Sequence, residues 1–151
     1  MDKIDIQPMQ PSDYAEAVAL WQSVEGVYVH LDDADSEPAI RAYLQFNEGM
    51  SFVARTMEKG RLVGTLLCGV DGRRGYLQHL AVTETHRGRG IARRLVEAVV
   101  AVLRERGYTR CHIMVITGND GAREFWKRVG FRLNDTVRLM SRDIGPSDGN
   151  A

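Results

Sequence analysis

Seven apolar residues between positions 91 and 103 (Ile91, Ala92, Leu95, Val96, Val99, Val100 and Leu103) lie on one stripe of a 3.6-residue repeat. A helix of this kind needs a second layer to cover its apolar face. The preceding segments supply one. Residues 51–56, 62–70 and 76–82 are apolar runs separated by Glu58-Lys59-Gly60-Arg61 and Asp71-Gly72-Arg73-Arg74, which is the pattern of an antiparallel meander. Alternation over residues 3–7 predicts a first strand. Ser12 and Asp13 predict a helix over 13–23 with Ala15, Val18, Ala19 and Trp21 at helical spacing, and Ser36 caps a second over 37–46 carrying Ile40, Tyr43 and Leu44. Residues 111–116 read as a short strand buried on both faces. Asn119 opens a fourth helix with Ala122, Phe125, Trp126 and Val129 inward, and Gly130 closes it. Residues 131–133 and 137–141 read as closing strands. The fold class is therefore α/β of the mixed α+β kind, a mostly antiparallel mixed sheet flanked by about four helices.

The length of 151 residues suits one domain, expected over 1–144, with a Gly, Pro, Ser and Asn tail at 145–151 expected to be disordered. Twenty Lys and Arg balance twenty Asp and Glu. A whole-molecule basic field that would hold nucleic acid or an anionic membrane is thus not expected. The opening Met1-Asp2-Lys3-Ile4-Asp5 has no apolar core of a signal peptide, and no apolar run reaches transmembrane length, so a reduced, cytoplasmic setting is expected. Cys68 and Cys111 read as small apolar residues on strands. His30, His79, His86 and His112 have no metal-ligand spacing, and no metal is expected.

The chemistry concentrates where strand meets helix, at Leu80-Ala81-Val82-Thr83-Glu84-Thr85-His86-Arg87-Gly88-Arg89-Gly90-Ile91-Ala92. Glycines at 88 and 90 allow positive φ and close backbone approach. The first turn of the following helix offers unpaired N–H groups at the positive end of its dipole, a place suited to phosphate, and the neighbouring arginines add charge-assisted donors. The Walker pattern fails, because Ile91-Ala92 stand where it needs Lys and Ser or Thr. The dinucleotide pattern fails at Arg93 and lacks the βαβ context. A phosphate site and a plain Arg-rich helix cap remain equally open on these residues alone.

Arg87-x-x-Gly90-x-Ala92 resembles the acyl-coenzyme A signature Q/R-x-x-G-x-G/A of the GNAT superfamily of N-acetyltransferases. Leu80 and Val82 match the apolar pair of that family's fourth strand. Asn119, Ala122, Phe125 and Gly130-Phe131 resemble its later block, N-x-x-A-x-x-F-Y followed by G-F. The resemblance spans roughly residues 3 to 142. It implies that the fourth and fifth strands splay apart and that pantetheine pairs with the backbone of Leu80, Ala81 and Val82. It further implies pyrophosphate on the amides of Arg87, Gly88, Arg89, Gly90, Ile91 and Ala92, with Asn119 and Phe125 along the pantetheine channel. Acetyl-coenzyme A is then the co-substrate, and an amine, in a small molecule or a protein, attacks the thioester directly. Dimers are frequent in the family, so a homodimer is a possible partner state.

The family's base positions fall on Tyr76 and Gln78, which are poor bases near neutral pH and suit holding a water. Glu84 is expected to support the phosphate loop or to act as base. His79 titrates better but has the opposite strand parity to Tyr76 and Gln78, which suits a core or surface role equally well. His30, Asp32 and Asp33 in the first long loop are further candidates beside the reading of a solvated acidic loop, and the acidic run through Asp35 would suit a cationic acceptor if it lines the cleft. Trp126 stands where the family often has a proton-donating Tyr, and an indole cannot supply a proton. That departure keeps a second expectation open, an acyl-coenzyme A-binding regulatory module without turnover. A nucleotide-binding fold of another type is a third.

Overall fold

The computed structural model describes residues 2–145. The elements in chain order are β1 (Ile4–Pro8), α1 (Tyr14–Ser23), α2 (Glu37–Phe46), β2 (Phe52–Thr56), β3 (Leu62–Val70), β4 (Gly75–Val82), α3 (Ile91–Glu105), β5 (Cys111–Ile113) and α4 (Asp120–Arg128). Short 3₁₀ turns at Pro11–Asp13 and Glu84–His86 lead into α1 and toward α3. The strands lie in the order β1-β2-β3-β4-β5. The first three pairings are antiparallel, while β4 and β5 run parallel because α3 crosses between them.

The sheet is covered on both faces. Leu95, Val96 and Val99 of α3 pack with Leu66, Cys68 and Leu77, and Trp126 of α4 joins them. On the other face, Ala17, Leu20 and Trp21 of α1 and Ile40 and Leu44 of α2 pack with Val53, Leu67 and Ala81. β3 lies between the two layers and is buried over nearly its whole length, which is why its sequence is a continuous apolar run. No helix among the described residues is long and apolar enough to cross a membrane.

The structure corrects four expectations. No strand forms at 131–133 or 137–141: the chain past α4 is irregular, and Leu133, Val137, Leu139 and Met140 are exposed. Between these segments the Asn134 side chain accepts from both the backbone N–H and the hydroxyl of Thr136, a local turn that competes with strand pairing. As a result β5 is an edge strand. It stops at Ile113 rather than reaching 116, and it is half-buried rather than buried on both faces. In α1 the inward residues are Ala17, Leu20 and Trp21, whereas Ala15 and Ala19 are exposed, because the fully buried Trp21 ring sets which face turns inward. In α4 only Trp126 is fully inward, while Ala122, Phe125 and Val129 are half-buried. The rest of the expected tail, residues 146–151, lies outside the described residues.

Arg55 on β2 ties the sheet to the start of α1. Its guanidinium donates to Asp13, to both carboxylate oxygens of Glu16 and to the Gly60 carbonyl. Bonding to Arg55 holds the Glu16 carboxyl below its ordinary value, against a smaller opposing effect of burial. A group lowered by folding stabilises above its unfolded pKa, and that contribution is lost as pH falls through the folded value. The Glu16 side chain is half exposed, so solvent screening keeps its share small. The stability difference between wild type and Arg55→Met, read by urea unfolding, is expected to be largest at about pH 7 and to shrink below about pH 4.

Candidate functional site

β4 carries the feature around which the site is built. Its pairing with β3 slips between Thr65 and Leu67, which stand opposite Ala81 and Gln78, so β4 holds one extra residue there. His79 takes the strain with φ of 53°, the one non-glycine residue at positive φ among those described. A residue held in this region costs of order 1–3 kcal/mol and persists where its surroundings over-determine it. Here they do. Trp21 Nε1 donates to Thr65 Oγ1 at 2.8 Å, and Thr65 Oγ1 donates to the His79 carbonyl at 2.9 Å. The imidazole meets the Trp21 ring edge-on at 4.7 Å, and its Nε2 lies 2.8 Å from Asp35 Oδ1.

The extra residue has two consequences. It reverses strand parity, so Leu77 faces α3 while Ala81, four residues on, faces α1. The same reversal brings His79 onto the α1 side, correcting the parity expected from simple alternation: Gln78, paired with the α1-facing Leu67, shares that side. Pairing with the parallel neighbour also ends beside the extra residue. β4 pairs with β5 only at Gly75, Tyr76 and Leu77, and from Gln78 to Val82 its edge has no strand partner. The two strands therefore part at their C-terminal ends and leave a slot.

At the end of β4 the chain turns through Gly88 and Gly90, both at φ of 77°, into α3. Gly90 is the N-cap and, having no side chain, caps none of the helix's free N–H groups; no acidic residue stands in the first turn. A cavity of about 330 Å³ opens here. Of the residues expected to hold the pyrophosphate, Arg87, Gly88, Gly90, Ile91 and Ala92 line it, as do Val82 and Phe125, which were expected along the pantetheine. His86, Arg93 and Arg128 line it too. Arg128 was not legible as a site residue, and the one signal for it is its helical spacing from Phe125. Arg87 donates to the Val82 carbonyl at 3.3 Å, and Arg93 donates to the Arg128 carbonyl at 3.5 Å, bracing the two helices against each other. Arg87, Arg93 and Arg128 have no carboxylate partner among the described residues. Three unneutralised guanidinium groups beside an open helix N-terminus form a strongly anion-attracting wall.

The other expected residues stand around this cavity. Leu80 is half-buried toward α3, and Ala81 is buried toward α1, so both present backbone rather than side chain to the open edge. Arg89 is exposed. Asn119 is the N-cap of α4, accepting from Ala122 N–H at 3.0 Å, which occupies its carbonyl oxygen. Tyr76 lies in the paired part of β4 with its hydroxyl 3.4 Å from Asp71, outside the slot. Gln78 is exposed at the first unpaired position, and Glu84 is exposed in the turn past the strand. Asp32 and Asp33 are exposed, whereas Asp35 is buried, so the acidic loop is divided between solvent and core. Trp126 is buried between the rings of Phe125 and Phe131.

The sequence model of the Acetyltransferase (GNAT) family matches residues 15–131. The chain belongs to this GNAT acetyltransferase family. An acetyltransferase of Yersinia enterocolitica is 30% identical over 145 residues, covering 93% of this chain and 96% of that protein. Among solved structures, an aminoglycoside N-acetyltransferase in complex with coenzyme A superimposes with a TM-score of 0.75 at 20% identity, covering 95% of this chain and 97% of the other. An acetyltransferase of Clostridium acetobutylicum with acetyl-coenzyme A gives 0.71 at 18% identity, covering 92% and 96%. These two likenesses establish the GNAT fold independently of the sequence motifs: the mixed sheet with its one parallel pair and four helices is that of a GNAT protein.

Proposed function

We propose that this GNAT protein transfers the acetyl group of acetyl-coenzyme A to an amine through a single N-acetyltransferase domain spanning residues 1–144. The observation that carries the reading is the conjunction of an uncapped, arginine-lined helix N-terminus with the unpaired edge of β4 directly upstream. The diphosphate rests on the amides of residues 87–92, with Arg87, Arg93 and Arg128 as counter-charges. The pantetheine arm adds to β4 as a strand would, on the backbone of Leu80, Ala81 and Val82, and passes Phe125. Backbone N–H near Val82 meets the developing oxyanion. The solved relative with bound coenzyme A and the one with acetyl-coenzyme A support the choice of donor.

Trp126 favours a second reading, a coenzyme A-binding module without turnover, because a buried indole offers the leaving thiolate no proton. We prefer turnover, since a thiolate near the cysteine value of about 8.5 leaves without a general acid. Calorimetric titration with acetyl-coenzyme A, followed by a thiol-release screen over small-molecule and protein amines, separates the two. Binding with release supports transfer, binding without release across the panel supports the module, and no binding defeats both.

The protein's own thiols leave that screen readable. Burial pushes the Cys68 thiol up to about 12, with the neighbouring Cys111 adding to the rise, and burial raises Cys111 as well. Native protein at about pH 8 is expected to react slowly with a disulfide reagent, and both thiols to react at once after denaturation.

A further inference from the structure

We propose that His79 is the general base of the transfer and that Asp35 is its positioning residue. The proposal rests on the acetyl-transfer reading above. Asp35 is 5% exposed and tightly held: Oδ2 accepts the His30 N–H at 2.9 Å, its own N–H donates to the His30 carbonyl at 2.9 Å, and its carbonyl accepts the Tyr14 hydroxyl at 2.6 Å. Its remaining oxygen, Oδ1, meets His79 Nε2 at 2.8 Å. A carboxylate there accepts a hydrogen bond from Nε2–H and so favours the tautomer with its lone pair on Nδ1.

Nδ1 has no hydrogen-bond partner among the described residues. Among the described residues the fully buried polar side-chain atoms without a partner are Tyr43 Oη and His86 Nε2, so Nδ1, on a side chain that is 14% exposed, is not fully buried. His79 is the second residue past the last β4–β5 pair, at the head of the slot. The other candidates are less well placed. Tyr76 lies in the paired segment, Gln78 does not titrate, and Glu84 is exposed beyond the strand end. Trp21 of α1 packs edge-on against the ring, and Asp35 in the loop before α2 bonds it; among the described residues Asp35 is the one titratable side chain that bonds the ring.

The protons balance as follows. An ammonium acceptor gives one proton to His79 Nδ1, which passes it to solvent. The neutral amine nitrogen attacks the thioester carbonyl, the C–N bond forms and the C–S bond breaks with its electron pair leaving on sulfur. The second nitrogen proton ends on the thiolate as free thiol. Imidazole is the side chain that exchanges protons near neutral pH, as this step needs.

Three variants test it. His79→Asn and His79→Gly both tolerate the positive φ, so the bulge survives while the ring is lost. His79→Asn is expected to lower kcat about a hundredfold or more and to abolish the acidic limb of kcat against pH, with the acetyl-coenzyme A Kd unchanged within about twofold. Added imidazole is expected to restore rate to His79→Gly. Asp35→Asn is expected to lower kcat while leaving the acetyl-coenzyme A Kd and KM unchanged within about twofold, because the ring loses the carboxylate that orients it. A His79→Asn enzyme with unchanged kcat and limb overturns the proposal. So does loss of acetyl-coenzyme A binding in both His79 variants, or a His79→Gly enzyme that imidazole does not restore. A wild-type protein that releases no thiol with any amine defeats the acetyl-transfer reading and this one with it, whereas normal wild-type turnover beside an unaffected His79→Asn defeats this one alone.

Discussion

Replacing both Gly88 and Gly90 by alanine is expected to weaken acetyl-coenzyme A binding about a hundredfold or more. Both residues stand at φ of 77°, and a Cβ added to either meets no protein atom within 4 Å. The penalty is therefore conformational rather than a clash, about 1–2 kcal/mol for each residue. The turn can relieve it by rotating, and rotation swings the N–H groups of the α3 N-terminus away from the phosphates. Each charge-assisted bond so lost is worth about 1.5–3 kcal/mol, and two of them correspond to a hundredfold or more in Kd. Gly72→Ala is the control. That glycine has φ of 89°, also meets no atom within 4 Å, and lies in the β3–β4 turn away from the cavity. It is expected to lower stability by a comparable conformational amount with no change in Kd. Calorimetric titration of both variants decides the matter: equal affinity in the double variant and in wild type would remove the phosphate cradle from its assigned place.

Trp21→Ala is expected to cost about 3–5 kcal/mol, a large fraction of the 5–15 kcal/mol that holds a typical domain folded. Trp21 is fully buried in the α1–α2 layer, and its loss opens a cavity under the sheet. It also removes the donor to Thr65 Oγ1, one of the bonds holding the strained His79 bulge. Trp21→Phe separates the two effects. It keeps most of the apolar volume, and the missing N–H is expected to cost about 1–3 kcal/mol. Urea unfolding of the three proteins reads the order wild type, Trp21→Phe, Trp21→Ala. A Trp21→Ala protein with wild-type stability would show that the α1 layer contributes little to holding the sheet. With the bulge loosened, Trp21→Phe is also expected to lose transfer rate before it loses acetyl-coenzyme A affinity, since His79 sits on the bulge while the phosphate turn does not.

Much of this architecture follows from local pattern. The stripe along α3 required a sheet beside it. The two Gly-containing turns set the antiparallel meander. The strand covered on both faces was expected at 111–116, and the structure puts it at β3 instead, because only a central position gives a strand helices on both sides. Gly88, Gly90 and the neighbouring arginines were readable as an anion site because helix geometry alone leaves N–H groups free at that end. The segment after α4 was not readable in this way. Residues 131–133 and 137–141 have strand composition, but strand formation depends on a partner edge, and composition does not say whether β5 accepts one.

The residues of the linear sequence therefore determined the order of elements and the phosphate-facing turn, since both arise from contacts within a few positions along the chain. Only the tertiary structure decided the parity of β4, the partner of His79 and the inclusion of Arg128 in the cavity wall. The extra residue at the bulge arises from the register between β3 and β4, and a one-residue shift of register turns every following side chain to the opposite face. Asp35 reaches His79 across 44 positions of sequence, and no local spacing encodes such a contact.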